Sequence, residues 1–211
     1  MLQTNWSRHW KKYNRIDYRG WIKFVNRAYR DFSRYIKVKN PKIIELGAGT
    51  GLNSLLLAKI LNAKKVVLVD NNDEALKISK INFKKEKLDN IAEFVKADIF
   101  KLKLKEKFDI VHSEGLIEHF HGEDRIKIFE KHVELCKKGG YIIIFVPYMS
   151  LKYRVIRSTL EFLNQWIYYD EVPYTKEELY NMLKSFNLKV IKMYNLPLTV
   201  YEVGFLARKD F

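Results

Sequence analysis

The chain has 211 residues, a single cysteine and a formal net charge of +14. Its length suits one domain spanning residues 1–211 with a real core. Cys136 alone excludes an intramolecular disulfide and a cysteine-based zinc cluster, and no apolar run reaches the roughly 20 residues that span a bilayer. The positive excess favours nucleic acid, a membrane surface or an anionic small molecule as partner, or else marks a lysine-rich solvated surface. The N-terminus is too charged and aromatic for a secretory signal, so a cytoplasmic protein is expected. Abundant lysine and isoleucine beside only two glutamines, Gln3 and Gln165, make a thermophile-like bias that an AT-rich genome also produces.

Residues 1–40 hold eleven Lys/Arg against Asp17 and Asp31, +9 of the +14. Trp21, Phe24, Val25, Ala28, Tyr29, Phe32, Tyr35 and Ile36 recur at helical spacing, which predicts an amphipathic helix ended by Asn40-Pro41. Lys23, Arg27, Arg30, Arg34 and Lys37 fall mainly on its other face. Strands are then expected over Lys42–Leu46, Lys65–Val69, Ile91–Ala97, Phe108–His112 and Tyr141–Val146. Helices are expected over Leu52–Leu61, Asp73–Lys87 and Glu123–Lys137. Lys138-Gly139-Gly140 reads as the stop of the third helix, with a left-handed glycine cap and Cys136 among its apolar positions. After Pro147 the alternation pauses in a lipophilic insertion. Thr175-Lys-Glu-Glu178 is a capping box that starts a last helix, and strands near Leu188–Tyr194 and Tyr201–Ala207 close the chain.

The apolar run Ile43-Ile-Glu-Leu46 goes straight into Gly47-Ala-Gly-Thr-Gly51, and the next apolar run ends in an acid, Asp70. Glycines at such a turn permit a tight bend, close backbone approach to a ligand and helix-on-strand packing. An acid at the end of the second strand is placed to accept hydrogen bonds from both hydroxyls of a ribose. The G-x-G-x-G spacing departs from the dinucleotide G-x-G-x-x-G, and no Lys-Ser or Lys-Thr follows, which argues against a P-loop. The plainer alternative is a turn that only joins strand to helix.

With these motifs in this order, the chain from about Ile43 onward resembles the class I S-adenosylmethionine-dependent methyltransferases of the type 11/12-like kind. Glu45-Leu-Gly-Ala-Gly-Thr-Gly51 matches the family's first motif, so the resemblance places Glu45, Gly47, Ala48, Gly49 and Gly51 at the methionine part of the cofactor. It places Asp70 and Asn71 at the ribose, Asp98 and Ile99 of Lys96-Ala-Asp-Ile99 at the adenine, and Ser113 at the loop after strand four. The implied fold is α/β: a Rossmann-like seven-stranded sheet with the last strand antiparallel and helices on both faces. To it are added an N-terminal helical extension and a helical insertion after strand five. In this reading residues 1–40 are a lid, 41–147 the cofactor core, 148–172 a substrate-side insertion and 173–211 the closing helix and strands. The implied cofactor is S-adenosyl-L-methionine, with S-adenosyl-L-homocysteine as product, and no metal is expected.

A sulfonium already carries a good leaving group, so no single catalytic residue is compulsory. His119 is the candidate general base, with His121 a weaker one; the bland reading of His119 is loop packing or helix capping. Glu114, Tyr148, Tyr153, Arg154, Trp10 and Tyr13 are candidates for the substrate side, against ordinary loop and packing roles. Methyltransferases acting on planar amino groups of DNA bases or protein amides often carry Asn/Asp-Pro-Pro-aromatic after strand four. Here that place reads Ser113-Glu-Gly-Leu-Ile117, which argues against those branches. The function expected is methyl transfer to an apolar or aromatic small molecule. The alternatives are an RNA or protein methyltransferase using the basic N-terminus, and a non-catalytic binding protein on the same fold.

Overall fold

The computed structural model of the chain describes residues 4–13, 19–195 and 202–211. Its strands are β1 (Lys42–Leu46), β2 (Lys65–Asp70), β3 (Ala92–Lys96), β4 (Phe108–Glu114), β5 (Cys136–Pro147), β6 (Lys189–Asn195) and β7 (Glu202–Arg208). Its helices are α1 (Trp6–Tyr13), α2 (Arg19–Ser33), α3 (Leu52–Leu61), α4 (Asp73–Lys85), α5 (Glu123–Leu135), α6 (Leu151–Phe162) and α7 (Lys176–Ser185). The strands form one sheet in the order β3-β2-β1-β4-β5-β7-β6. Neighbours pair in parallel from β3 to β5, whereas β7 runs antiparallel to both β5 and β6. This is the seven-stranded Rossmann-like sheet the motifs imply. The strand order reverses between β1 and β4, and the crevice beyond their carboxyl ends is where such a sheet binds ligands.

Both faces of the sheet are covered, which is why β1, β2 and β5 are apolar almost throughout. One face packs under α2, α3 and α4, through Val25, Tyr29, Phe32, Leu55, Leu57 and Phe83. The other packs under α5 and α7, through Ile128, Phe129, Leu135, Leu179 and Leu183. Val25, Ala28, Tyr29 and Phe32 expose no surface, so α2 belongs to the core, and among the described residues of the N-terminal segment it is α1 that reaches over the crevice. Burial on this scale contributes about 1.5–3 kcal/mol for each large apolar side chain. Tyr29 meets Phe145 of β5 edge-on, with ring centroids 5.5 Å apart. The Thr175 capping box forms as expected, with Glu178 donating its N–H to the Thr175 hydroxyl and its carboxylate accepting from the Thr175 N–H.

Besides shifts of one or two residues at other element ends, the end of α5, the start of β5 and the end of β4 differ from the sequence reading. Helix α5 ends at Leu135, and Cys136 is extended: its N–H bonds the His132 carbonyl and the residue opens β5. Gly139 is left-handed (φ +74°), but within an irregular stretch of β5, where pairing with β4 shifts between Phe108 and Ile110, and not as a helix cap. The Cys136 thiol is buried there, which pushes its pKa up to about 12 and makes it a poor nucleophile. Strand β4 continues two residues beyond His112, because Ser113 and Glu114 still pair with Ile144 and Phe145. The expected start of the last strand at Tyr201 lies outside the described residues. No helix among the described residues is long and apolar enough to cross a membrane.

Gly204 of β7 lies opposite Phe145, and a Cβ there would sit 2.2 Å from the Phe145 ring. Gly204→Ala is expected to lower stability by about 1–3 kcal/mol. Adding Phe145→Leu should recover part of that loss, giving a nonadditive cycle in urea denaturation; additive losses would show that the ring does not depend on the bare backbone.

Candidate functional site

A cavity of about 760 Å³ opens beyond the carboxyl ends of β1, β2 and β4. Its inner end is built by the glycine turn. Asp70, the last residue of β2, accepts the N–H of Gly49 at 2.8 Å through one carboxylate oxygen and the N–H of Asn72 at 2.8 Å through the other. The Ala48 N–H bonds the Val69 carbonyl at 2.9 Å, extending the β1–β2 pairing into the turn. From α4, Ser79 donates to the Gly49 carbonyl at 2.8 Å and Asn82 to the Thr50 carbonyl at 3.0 Å. The turn is therefore held from two sides. Gly49 is left-handed (φ +53°), and a Cβ on it would lie 2.8 Å from the Trp10 ring. Gly51 answers to packing instead: it is left-handed at the N-cap of α3, and a Cβ would meet Leu68 at 2.6 Å. Gly51 does not line the cavity, whereas Gly47, Ala48, Gly49 and Thr50 do.

Asp70, Asn71, Asp98 and Ile99 line the same end. Burial raises the Asp70 pKa, and its backbone N–H partners oppose that rise. Asp98 caps a short 3-10 turn through the Phe100 N–H at 3.0 Å. Glu45 reaches the cavity from β1, 1% exposed. Its neighbour across the sheet is His112 of β4, whose Nδ1 lies 3.8 Å from the Glu45 carboxyl. The His112 Nε2 pairs with the Ser54 hydroxyl at 2.8 Å. Burial pushes Glu45 up to about 8 and His112 down to about 3, so both are neutral near pH 7.

The outer end is walled by α1, the last turn of α6 and the chain after it. Trp6, His9, Trp10, Leu160, Gln165, Trp166, Ile167 and Tyr168 face one another across it. Trp6 meets the His119 ring edge-on at 4.9 Å. Asp170 joins the two walls: the Thr4 hydroxyl donates to its carboxylate, which also lies 3.1 Å from the His119 Nδ1. Asn72 donates to the Ser7 hydroxyl at 2.9 Å, tying α1 to the start of α4. Burial lowers the His119 pKa against the opposing pull of Asp170.

Of the residues singled out from the sequence, the structure gathers Glu45, Gly47, Ala48, Gly49, Asp70, Asn71, Asp98, Ile99, Trp10, Glu114 and His119 around the cavity. Ser113 is turned away from it. Because β4 continues through this position, the pleat points Ser113 toward α5, where its hydroxyl donates to the His132 Nε2 at 2.9 Å. His132 donates its other ring N–H to the Ile128 carbonyl at 2.8 Å. Tyr153 stands one layer behind the cavity wall, 1% exposed, donating to Glu171 at 2.6 Å. Arg154 is exposed on α6. Tyr148 packs under Lys176 and pairs with Tyr174. The side chain of Tyr13 lies outside the described residues, as does that of Trp21. Sequence reasoning missed His9, Glu118, Asp170 and Glu171. Glu118 precedes the His119 it did single out, but nothing local marks Asp170 or Glu171.

This fold and turn are those of the class I S-adenosylmethionine-dependent methyltransferase superfamily. The model of the family described as a methyltransferase domain matches residues 37–187, and the chain belongs to that family. Over 139 residues, 62% of the chain, it is 33% identical to the ribosomal RNA small subunit methyltransferase C of Buchnera aphidicola. Over 98 residues, 46% of the chain, it is 33% identical to that genus's release factor glutamine methyltransferase. The matches span only 38% and 34% of those relatives' lengths. Among solved structures, the magnesium protoporphyrin IX methyltransferase of Synechocystis, with S-adenosylhomocysteine bound, has the same fold. It superposes with a TM-score of 0.73 at 14% identity, over 90% of this chain and 84% of that one.

The buried Glu45 carboxyl makes stability depend on pH in a definite direction. Unfolded, it titrates near 4.5; folded, near 8. Its contribution is therefore complete below about 4.5 and is lost as pH rises through 8. Urea denaturation of Glu45→Gln and the native protein from pH 5 to 9 should show the variant gaining by up to about 1.4 kcal/mol per pH unit. Parallel stability curves would contradict the buried, protonated carboxyl.

Proposed function

We propose that the protein transfers a methyl group from S-adenosylmethionine to a small apolar or aromatic acceptor. The observation that carries this reading is the outer end of the cavity, where Trp6, Trp10, Trp166 and Tyr168 close around His119. That is a concave pocket of the size and character that takes a small molecule. The inner end fits the cofactor on its own terms. Gly47 and Gly49 offer bare backbone to the cavity, and a side chain at either would collide with Leu116 or Trp10. Asp70 has both oxygens oriented by backbone N–H groups, leaving lone pairs for a ribose diol.

When bound, the cofactor supplies an electrophilic methyl on a sulfonium. The residues' work is then to orient and to exclude water. Trp10, packed on Gly49, stands between the two ends and covers the donor. Trp6, Leu160, Ile167 and Tyr168 hold the acceptor's apolar body. His119, its ring held by Asp170, serves the acceptor's nucleophilic atom. The single cysteine, buried at Cys136, is consistent with a reducing, cytoplasmic setting.

The relatives named for ribosomal RNA and a release factor favour a second reading, a macromolecular acceptor reached through the basic N-terminal segment. Against it, the end of β4 and the turn that follows read Ser113-Glu-Gly-Leu-Ile117 instead of Asn/Asp-Pro-Pro-aromatic, and Thr4 and Ser7 hold α1 across the cavity.

Labelled methyl transfer into fractionated cell extract tests these readings. The label should enter the small-molecule fraction, with turnover changing little between 50 and 200 mM salt. Label in RNA, with affinity falling about 10³-fold or more over that range, would favour the second reading. His119→Ala should lower turnover by about 10²–10⁴-fold while leaving cofactor affinity within a few-fold. Unchanged turnover would remove His119 from the acceptor end.

A further inference from the structure

Glu118, His119 and Glu171 all line the cavity, and one ligand-type atom from each lies within 4.8 Å of the other two. Glu118 and His119 sit on the short 3-10 turn after β4, and Glu171 on the chain returning from α6. The two segments are joined by the backbone: the Val172 N–H bonds the Glu118 carbonyl at 2.9 Å. Glu118 is 1% and Glu171 6% exposed, and the His119 side chain 9%.

The supporting contacts fix how the three groups face. Asp170 lies 3.1 Å from the His119 Nδ1, so that nitrogen carries the proton and donates. That leaves the lone pair on Nε2, and the Glu118 Oε1 lies 3.9 Å from it, too far for a hydrogen bond. Glu171 is oriented from behind by the Tyr153 hydroxyl at 2.6 Å. Tyr153 in turn accepts from Arg157 at 2.9 Å, and Arg157 also donates to the Glu171 carbonyl at 2.9 Å. A histidine held by a carboxylate through one nitrogen, beside a hydrogen-bonded carboxylate, is the supporting arrangement of metal sites.

We propose that Glu118, His119 and Glu171 hold a divalent cation whose open positions bind an oxygen of the acceptor. The reading deepens the methyl-transfer proposal by naming the acceptor class, hydroxyl-bearing small molecules. Two carboxylates and a neutral imidazole balance a charge of +2. Oxygen and nitrogen donors without sulfur suit magnesium, manganese, cobalt or zinc. Octahedral ligands about 2.1 Å from a cation lie about 3 Å apart, so the side chains close in by roughly an ångström. With three protein ligands, positions remain toward the cavity. A hydroxyl drawn onto the cation loses its proton to water more readily. The oxygen then takes the methyl as the carbon–sulfur bond breaks, leaving methyl ether, neutral thioether and one released proton. His119 acts here as a ligand, and the cation does the work of a base.

The test is independent of methyl transfer. The full chain, stripped with chelator, is titrated with Mn²⁺ alone and followed by electron paramagnetic resonance. One Mn²⁺ per chain is expected, with a nitrogen coupling from the imidazole. Glu171→Gln and Asp170→Asn should each weaken binding about 10- to 100-fold, and His119→Asn should abolish the nitrogen coupling. Thermal unfolding of each variant identifies any that fails to fold; Asp170→Asn, which removes no ligand, serves as the gentler second variant. No saturable Mn²⁺ site, or binding that Glu171→Gln leaves unchanged, would overturn the proposal. Loss of the cation site with S-adenosylhomocysteine still bound would leave the methyl-transfer reading standing.

Discussion

The Asp70 carboxylate, closed onto the N–H groups of Gly49 and Asn72, is the contact on which the rest of the site depends. It joins the end of β2 to the turn after β1 and to the start of α4. Without it the turn's N–H groups would lack partners in a mostly buried place, a loss of about 1–3 kcal/mol for each group. The same closure sets where α3 begins, and so where Ser54 meets His112 and Glu45. It also decides that the glycines bare their backbone toward the cavity.

A second carboxylate does the equivalent work at the outer end. Asp170 receives Thr4 from the segment before α1 and orients His119 from the turn after β4. The segment that carries α1 and the chain after α6 meet at that side chain, and the Trp6 and Tyr168 rings add a second contact between them. They carry the aromatic walls of the pocket, whereas the strands carry the turn. The walls and the turn are nevertheless linked through α1, where Trp10 packs on Gly49 and Ser7 accepts from Asn72.

The inner end was legible in the sequence because its determinants are local. A strand, three spaced glycines and an acid at the next strand's end constrain one another through backbone geometry. The apolar stripe of α2 and the Thr175 capping box are periodic or contiguous signals of the same kind. What escaped depends on distant partners. Ser113 was expected at the loop, but β4 keeps pairing with β5 for two more residues, and the pleat turns the hydroxyl toward His132. Cys136 looked helical until its strand pairing with Phe108 took precedence. Tyr153 lies on the helix that leads into the pocket wall, yet the wall is the last turn of that helix and the irregular chain after it. Glu171 and Asp170 meet His119 only because Val172 pairs with Glu118, a contact no spacing announces.

The turn closed by Asp70 is proposed as the cradle for S-adenosylmethionine. Isothermal titration of the native chain and of Asp70→Ala with S-adenosylhomocysteine tests it most directly. One site per native chain is expected, weakened by about 1–3 kcal/mol in the variant, roughly 5- to 150-fold in dissociation constant. A native chain that binds no S-adenosylhomocysteine, or a folded variant that binds it equally well, would contradict it.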